Sequence, residues 1–421
     1  MAERRYRVLA VAAHPVQYTS PIFQRMAAHP GFDLHVAYCS LRGAEPGHDP
    51  EFGATVQWDV PLLEGYSWSH VPNRGTGEES FFGLRNPGMA KLIREGNYDA
   101  VLCFVGYVRA TFWIAYFAAR LSGSAFLFGT DASSVAPRDG ARWKPWLKRA
   151  VWPLLFRLAD QVIVPSSATG EMMRELGVPE NRISLTHFVV DNDWWTEQAG
   201  RINRSATRAE LGVSDREIAV LFCAKLQDWK RPLDLLHAFA KAAVADSILL
   251  FAGEGPLRAQ IESEAAALGI ATRVRMLGFT NQSRLPAVYS AADLFVLPSG
   301  YDPCPVVVCE AMVCGLPVIL SDEIRGRFDL VQPGVTGGIF PCRNVEALAE
   351  ILRRLLGDRA ALAALGANAR ARMATWSPRE NVAATFEAIK KAVSRKKPRP
   401  GALPDSNGVH TSAAAPRKLR E

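Results

Sequence analysis

Several features that would assign a chain to a membrane, a secretory route or a nucleic acid are missing from this sequence. Its 421 residues contain no run of the roughly 18 uninterrupted apolar residues that a membrane-spanning helix needs. The seven cysteines are scattered and odd in number, which argues against a disulfide framework and points to the cytoplasm. Cys304, Cys309 and Cys314 recur every five residues, yet none belongs to a C-x2-C pair, so they read as small buried thiols rather than zinc ligands. A basic surplus is also absent from most of the chain. The formal net charge is +7, but from Arg395 to Glu421 seven Lys or Arg face two acids, leaving a near-neutral body. That body is not expected to bind nucleic acid, and the cationic, Pro/Ala/Ser-rich tail reads as disordered. The N-terminus places Arg4, Arg5 and Arg7 before an apolar run, but the run is only VLAVAA and ends in His14-Pro15. It reads as a first buried strand rather than a signal peptide.

What is present is a repeated strand–helix alternation. A hydrophobic content of 48% with 22% charged residues is that of a globular protein, and the length suits two domains. In the first half, β-rich runs fall at Arg7 to Ala13, Asp33 to Cys39, Ala100 to Gly106, Ser124 to Gly129 and Gln161 to Ser166. The pattern restarts at Glu217 to Ala224, Ser247 to Gly253, Arg273 to Gly278, Asp293 to Ser299 and Pro317 to Leu320. Helical stretches between such runs imply parallel sheets built from βαβ units. The expected fold is α/β, with two doubly wound Rossmann-like domains facing a cleft. The boundaries read as 1–198, 199–377, a C-terminal helix over 378–394 and the basic tail over 395–421. Tyr38 to Gly88 reads as loops, some lining the cleft, and Thr196 to Asp215 as the linker.

Four segments of the second half carry the chemistry. Pro298 to Ile319 runs from one strand end through a loop with Asp302 into a short helix with Glu310. A helix N-terminus presents unpaired N–H groups to a phosphate, and a carboxylate can accept hydrogen bonds from a ribose diol. AKLQDWK puts Lys225 and Lys230 on a loop at another strand end, and Gly253-Glu254-Gly255-Pro256 and Pro333 to Gly338 add glycine-rich turns. A lysine roughly 4 Å from a diphosphate contributes about 4 kcal/mol at an effective dielectric near 20, before desolvation. Two lysines suffice to neutralise it. The segment therefore reads as a nucleotide-sugar grip.

The spacing of AKLQDWK, GEGP, D-P-x-P-x-x-x-x-E-A-M-x-C-G-L-P-V-I and PGVTGG resembles the group 1 family of retaining GT-B glycosyltransferases, most clearly from Ile218 to Phe340. The resemblance implies that residues 199–377 hold the nucleotide sugar and residues 1–198 the acceptor. It implies that Glu310 binds the donor ribose, that Asp302 faces the donor sugar, and that Lys225 and Lys230 hold the diphosphate. Backbone N–H groups of Val306 and Val307 would complete the phosphate site, beside Gly253 and Gly255. The expected reaction moves a sugar, with UDP the expected donor base, to an acceptor hydroxyl in cell-surface polysaccharide or glycoconjugate synthesis. No metal or cofactor is implied. The acceptor class stays open between carbohydrate, lipid-linked and small molecules, and the oligomeric state is undetermined. Two departures from the family pattern matter: the first acid is Asp302 rather than Glu, and Pro305 replaces the usual glycine, removing an N–H.

In the first half, His14 follows the first strand and is expected in the cleft, with a catalytic role. Asp131 reads equally as an acceptor contact or a helix cap. From Trp143 to Leu158, apolar residues recur at helical spacing beside Lys144, Lys148, Arg149 and Arg157. Two readings are open for this helix: an apolar face packed on the sheet, or peripheral contact with an anionic membrane at its inner face, against which Pro145 and Pro153 count. The alternative functions are a nucleotide-sugar epimerase or sugar phosphorylase on the same fold, and an inactive nucleotide-binding scaffold.

Overall fold

The computed structural model describes residues 4–49, 54–78, 80–136 and 143–396. In chain order its strands are β1 (Tyr6–Ala12), β2 (Phe32–Tyr38), β3 (Gly47–Asp49), β4 (Ala54–Val56), β5 (Ser67–His70), β6 (Ala100–Cys103), β7 (Ala125–Gly129), β8 (Gln161–Val164) and β9 (Ile183–Leu185). The second half adds β10 (Ile218–Cys223), β11 (Ser247–Ala252), β12 (Val274–Gly278), β13 (Leu294–Leu297), β14 (Val318–Ser321) and β15 (Gly337–Phe340).

These strands form two parallel sheets, ordered β5-β2-β1-β6-β7-β8-β9 and β12-β11-β10-β13-β14-β15, with β3 and β4 as a separate antiparallel hairpin. Val8 to Val11 and every residue of β10 and β11 are buried, as expected for strands covered by helices on both faces. Strand order reverses between β1 and β6 in the first sheet and between β10 and β13 in the second. In such sheets ligands bind beyond the strand C-termini at the reversal. His14 follows β1, Lys225 follows β10 and Asp302 follows β13, so the fold alone brings these loops to the two reversal points.

The closing helix, Pro378–Ser394, starts with a Ser377/Glu380 capping box. It returns to the first domain, where Val382, Phe386 and Ile389 join a core with Val8, Ala10 and Phe32. Just before it, Trp376 donates from its indole to the Phe188 carbonyl at 2.8 Å, and Asn192 donates to the Met373 carbonyl at 2.7 Å. The crossover is thus fastened to the segment 188–192 before the closing helix enters the first domain.

Three expectations need correction. Thr196 to Asp215 is not a loose linker. It carries helices Asn192–Gly200 and Arg204–Glu210, and buried Arg208 bonds the Ala291 carbonyl at 2.7 Å and Asp293 at 3.1 Å. Tyr38 to Gly88 holds the β3–β4 hairpin and β5 besides its loops. Arg395 and Lys396, read as tail, are pinned: Arg395 donates to the Asp160 carbonyl at 2.7 Å and Lys396 pairs with Asp160 at 2.9 Å. The remainder of the expected tail lies outside the described residues. Of the two readings open for the helix Trp143–Phe156, packing on the sheet holds only for its inner end. Only Trp152, Leu155 and Phe156 of it are buried, and most of the expected apolar stripe faces outward.

Candidate functional site

A cleft of about 1040 Å³ lies between the strand C-termini of the two sheets. Loops of both domains meet across it. Asn281 donates to the Gln57 carbonyl at 2.8 Å, the Ser283 N–H donates to Asp59 at 3.0 Å, and the Trp58 and Phe279 rings lie 6.3 Å apart. Elsewhere between the domains, the Ser167 N–H donates to Asp329 at 2.9 Å.

The second-domain wall is set by backbone geometry at strand ends. The loop after β10 is tied to the loop after β11, since the Leu226 N–H donates to the Glu254 carbonyl at 2.9 Å. Gly253 (φ +147°) and Gly255 (φ +155°) permit this approach. A Cβ would sit 2.0 Å from the Ala224 oxygen at Gly253 and 2.5 Å from the Leu226 oxygen at Gly255. Gly253 lines the cleft, whereas Gly255 lies behind the lysine loop and does not. The same loop is joined to the one after β13 by the Gly300 N–H, which donates to the Trp229 carbonyl at 2.7 Å. That bond places Lys230 against Asp302. Their charged atoms are 2.5 Å apart, with both side chains largely buried. Lys225 also lines the cleft.

The acid on the following helix, Val306–Val313, is in a different setting. Glu310 is only 3% exposed, and the buried Tyr289 hydroxyl donates to its Oε2 at 2.9 Å. Burial pushes its carboxyl up to about 7, against the opposing pull of the Tyr289 hydrogen bond. Burial, then the nearby Cys223 and Glu310, push the Tyr289 phenol up as well, keeping it a donor. A second pair of donors, such as a ribose diol, would favour the charged carboxylate. Val306 and Val307 line the cleft at the start of this helix, where Pro305 supplies no side-chain cap. The first-turn N–H groups there suit an anion.

The first-domain wall carries fewer charges. His14 lines the cleft, as do Tyr107, Thr130 and the exposed Asp131. Asp131 lies in an irregular segment and caps no helix among the described residues. Enclosure by the cleft walls, with Asp131 and Cys304 nearby, pushes the Tyr18 phenol up although 40% of its surface stays exposed, so Tyr18 stands neutral in the cleft.

Sequence reasoning missed Tyr289, whose partner is 21 residues away, along with Tyr18 and three glutamines. Gln17, Gln227 and Gln282 line the cleft, and each has a buried side-chain oxygen without a protein partner. Buried acceptors of this kind are rarely left unsatisfied, so they mark places where a ligand can donate. No periodic signal distinguishes them. Among the described residues no group of three or more His, Cys, Asp and Glu could hold a metal ion.

Two family models match the chain: Glycosyl transferase 4-like domain over residues 2–189 and Glycosyl transferases group 1 over residues 203–372. A D-inositol 3-phosphate glycosyltransferase of Geodermatophilus obscurus is 28% identical over 402 residues, covering 88% of this chain and 86% of that protein. One of the same name from Mycobacterium sp. (strain KMS) is 34% identical over 205 residues, covering 47% of this chain and 45% of that protein. This chain spans about half the length of several of the curated relatives it matches. In fold it is similar to Anabaena Alr3699/HepE, solved with UDP and glucose, at a TM-score of 0.69 and 19% identity, covering 92% of this chain and all of that one. With both halves matched and the two-sheet fold shared, the chain belongs to the GT-B glycosyltransferases of the group 1 family.

Proposed function

We propose that this protein transfers a sugar from a nucleotide-sugar donor, with UDP the expected base, to an acceptor hydroxyl with retention at the anomeric carbon. The observation that carries the reading is the second-domain wall. There two lysines, a buried carboxylate held by Tyr289 and an uncapped helix N-terminus converge on one cleft. Glu310 would accept from the ribose, and Lys225, Lys230 and the Val306 and Val307 N–H groups would take the diphosphate. Developing charge on the departing diphosphate is then stabilised by positions fixed in advance.

The Lys230–Asp302 pair adds a step to this scheme. Lys230 already has a carboxylate partner, so a diphosphate must share or displace it. Asp302, released from Lys230, would then face the donor sugar. Because the lysines supply the positive charge, transfer is expected to continue in the presence of a chelator. The relatives named for D-inositol 3-phosphate and the HepE complex with UDP and glucose support a sugar-nucleotide reading without fixing the acceptor here. A role in cell-surface glycoconjugate synthesis at the cytoplasmic face is part of the proposal.

The test is a thermal-shift panel of UDP, GDP and ADP, followed by product analysis with the matching labelled nucleotide sugar and chelator. At 100 times Kd the true ligand should stabilise by about 2.7 kcal/mol, and the transferred sugar should keep the donor's anomeric configuration. No shift with any nucleotide, or an inverted product, would overturn the reading.

A further inference from the structure

We propose that the outward face of the helix Trp143–Phe156 docks the first domain onto an anionic lipid surface. This goes beyond the proposed reaction and does not depend on it. Among residues 143–151 none is buried. Trp143 is 62% exposed, Trp146 74% and Leu154 62%, with Leu147 and Val151 exposed beside them. Large apolar side chains do occur singly on surfaces, but a contiguous set on one helix marks a contact face. On the preceding helix Ala110–Leu121, Phe117 and Leu121 are also exposed, Leu121 by 82%. Arg120 of that helix donates to the Leu158 carbonyl at 2.5 Å, two residues past the end of the helix Trp143–Phe156.

The charges on this face select the occupant. Lys144, Lys148, Arg149 and Arg157 are interspersed with the exposed tryptophans and leucines, and no acid occurs from Trp143 to Ala159. The next one, Asp160, is already engaged by Arg120 at 3.2 Å and Lys396 at 2.9 Å. Lys144 lies 5.9 Å from the Trp143 ring centre and Lys148 4.9 Å from that of Trp152, so ammonium groups sit beside aromatic rings. Aromatic and aliphatic groups interleaved with cations fit the boundary between anionic headgroups and acyl chains. Two copies of this face in a symmetric pair would set like charges against each other, which disfavours a second copy as the occupant.

The prolines do not prevent this. The helix continues from Trp143 through Phe156, with Pro145 in its first turn, where no helical N–H bond is required, and Pro153 in its interior, where one such bond is missing but the helix does not end. Its inner end is firmly held: Trp152, Leu155 and Phe156 are buried, and the Trp152 indole donates to the Tyr107 hydroxyl at 2.7 Å. Tyr107 lines the cleft. Docking would therefore set the first-domain wall of the cleft beside the bilayer, where a lipid-linked acceptor would enter. Among the described residues no helix is long and apolar enough to cross a membrane, so the contact would be peripheral.

Flotation of the full chain with vesicles tests the inference, using phosphatidylcholine alone and phosphatidylcholine with one third phosphatidylglycerol. Binding to the anionic vesicles is expected to exceed binding to the neutral ones at least about tenfold and to weaken with salt. A Trp146→Ser/Leu154→Ser variant and a separate Lys148→Glu/Arg149→Glu variant should each lose at least about tenfold in binding. Both should keep the nucleotide thermal shift of the parent, which also reports that they are folded. Absence of flotation with anionic vesicles, or undiminished binding in both variants, would overturn the docking face. So would a concentration-dependent dimer that either variant abolishes. Because the nucleotide shift is read separately, failure of docking and failure of the donor site are distinguishable.

Discussion

The two walls of the cleft differ in kind. The second-domain wall is charged and braced: two lysines and Asp302 stand on loops fixed by strand-end hydrogen bonds and by glycines at positive φ, and Glu310 stands on the helix that follows. The first-domain wall is less charged, with Tyr18, Tyr107 and Thr130 beside one acid, Asp131, and one arginine, Arg42, among the described residues, and it adjoins a helix with exposed tryptophans. A charged donor needs fixed counter-charges and pays for their burial once, in the fold. An acceptor hydroxyl needs only orientation. On the proposed reading, donor binding falls to one wall and acceptor traffic to the other, and this division can be broken experimentally from either side.

The largest effect is expected from Lys230→Ala, which leaves Asp302 buried without its cation and removes a diphosphate partner. Turnover should fall about tenfold to a hundredfold, or about 1.4 to 2.8 kcal/mol of transition-state stabilisation, as read from kcat/KM. Unchanged kinetics would remove the lysine from the donor site.

Glu310 offers a pH test. Its carboxyl is raised by burial to about 7, above its ordinary value, so the unliganded fold favours the protonated acid. This group's contribution to stability is fully present below the ordinary carboxylate range and is lost as pH rises through about 7. Nucleotide binding, which needs the charged form as acceptor, should run the other way. Affinity should increase up to about tenfold between about pH 6 and about pH 8, and Glu310→Gln should flatten that rise. A pH slope that survives in Glu310→Gln would assign it to another group.

Gly255→Ala probes the brace rather than the ligand. At φ +155° with a Cβ 2.5 Å from the Leu226 oxygen, the substitution should lower stability by about 1 to 3 kcal/mol, measured by denaturant unfolding. The smallest effect on nucleotide binding is expected from His14→Ala on the opposite wall. Affinity by calorimetry should stay within about twofold, or about 0.4 kcal/mol, while turnover with acceptor falls. A large loss of nucleotide affinity would erase the distinction between the walls.

The two walls were also unequally legible in the sequence. Strands β10 and β13 are uninterrupted apolar runs and β11 is one after Ser247, and the residues after them carry the lysines, glycines and carboxylates at fixed spacing, so this wall could be placed before any coordinates. Tyr289 could not, because nothing in a buried apolar helix marks which hydroxyl will meet Glu310. The helix Trp143–Phe156 shows the limit of periodicity. Spacing revealed an apolar stripe, but not whether protein covers it, and here most of it is left exposed. Thr196 to Asp215 was obscured for a related reason. Its polar composition resembles a linker, yet Arg208 is buried by carbonyls and an aspartate that only the tertiary fold supplies.

The most direct measurement is a calorimetric titration of the nucleoside diphosphate that gives the largest thermal shift, into the parent protein and into Glu310→Ala. The donor-wall assignment predicts one equivalent bound by the parent and at least about tenfold weaker binding in the variant, or about 1.4 kcal/mol. Equal affinity in the two proteins would contradict it.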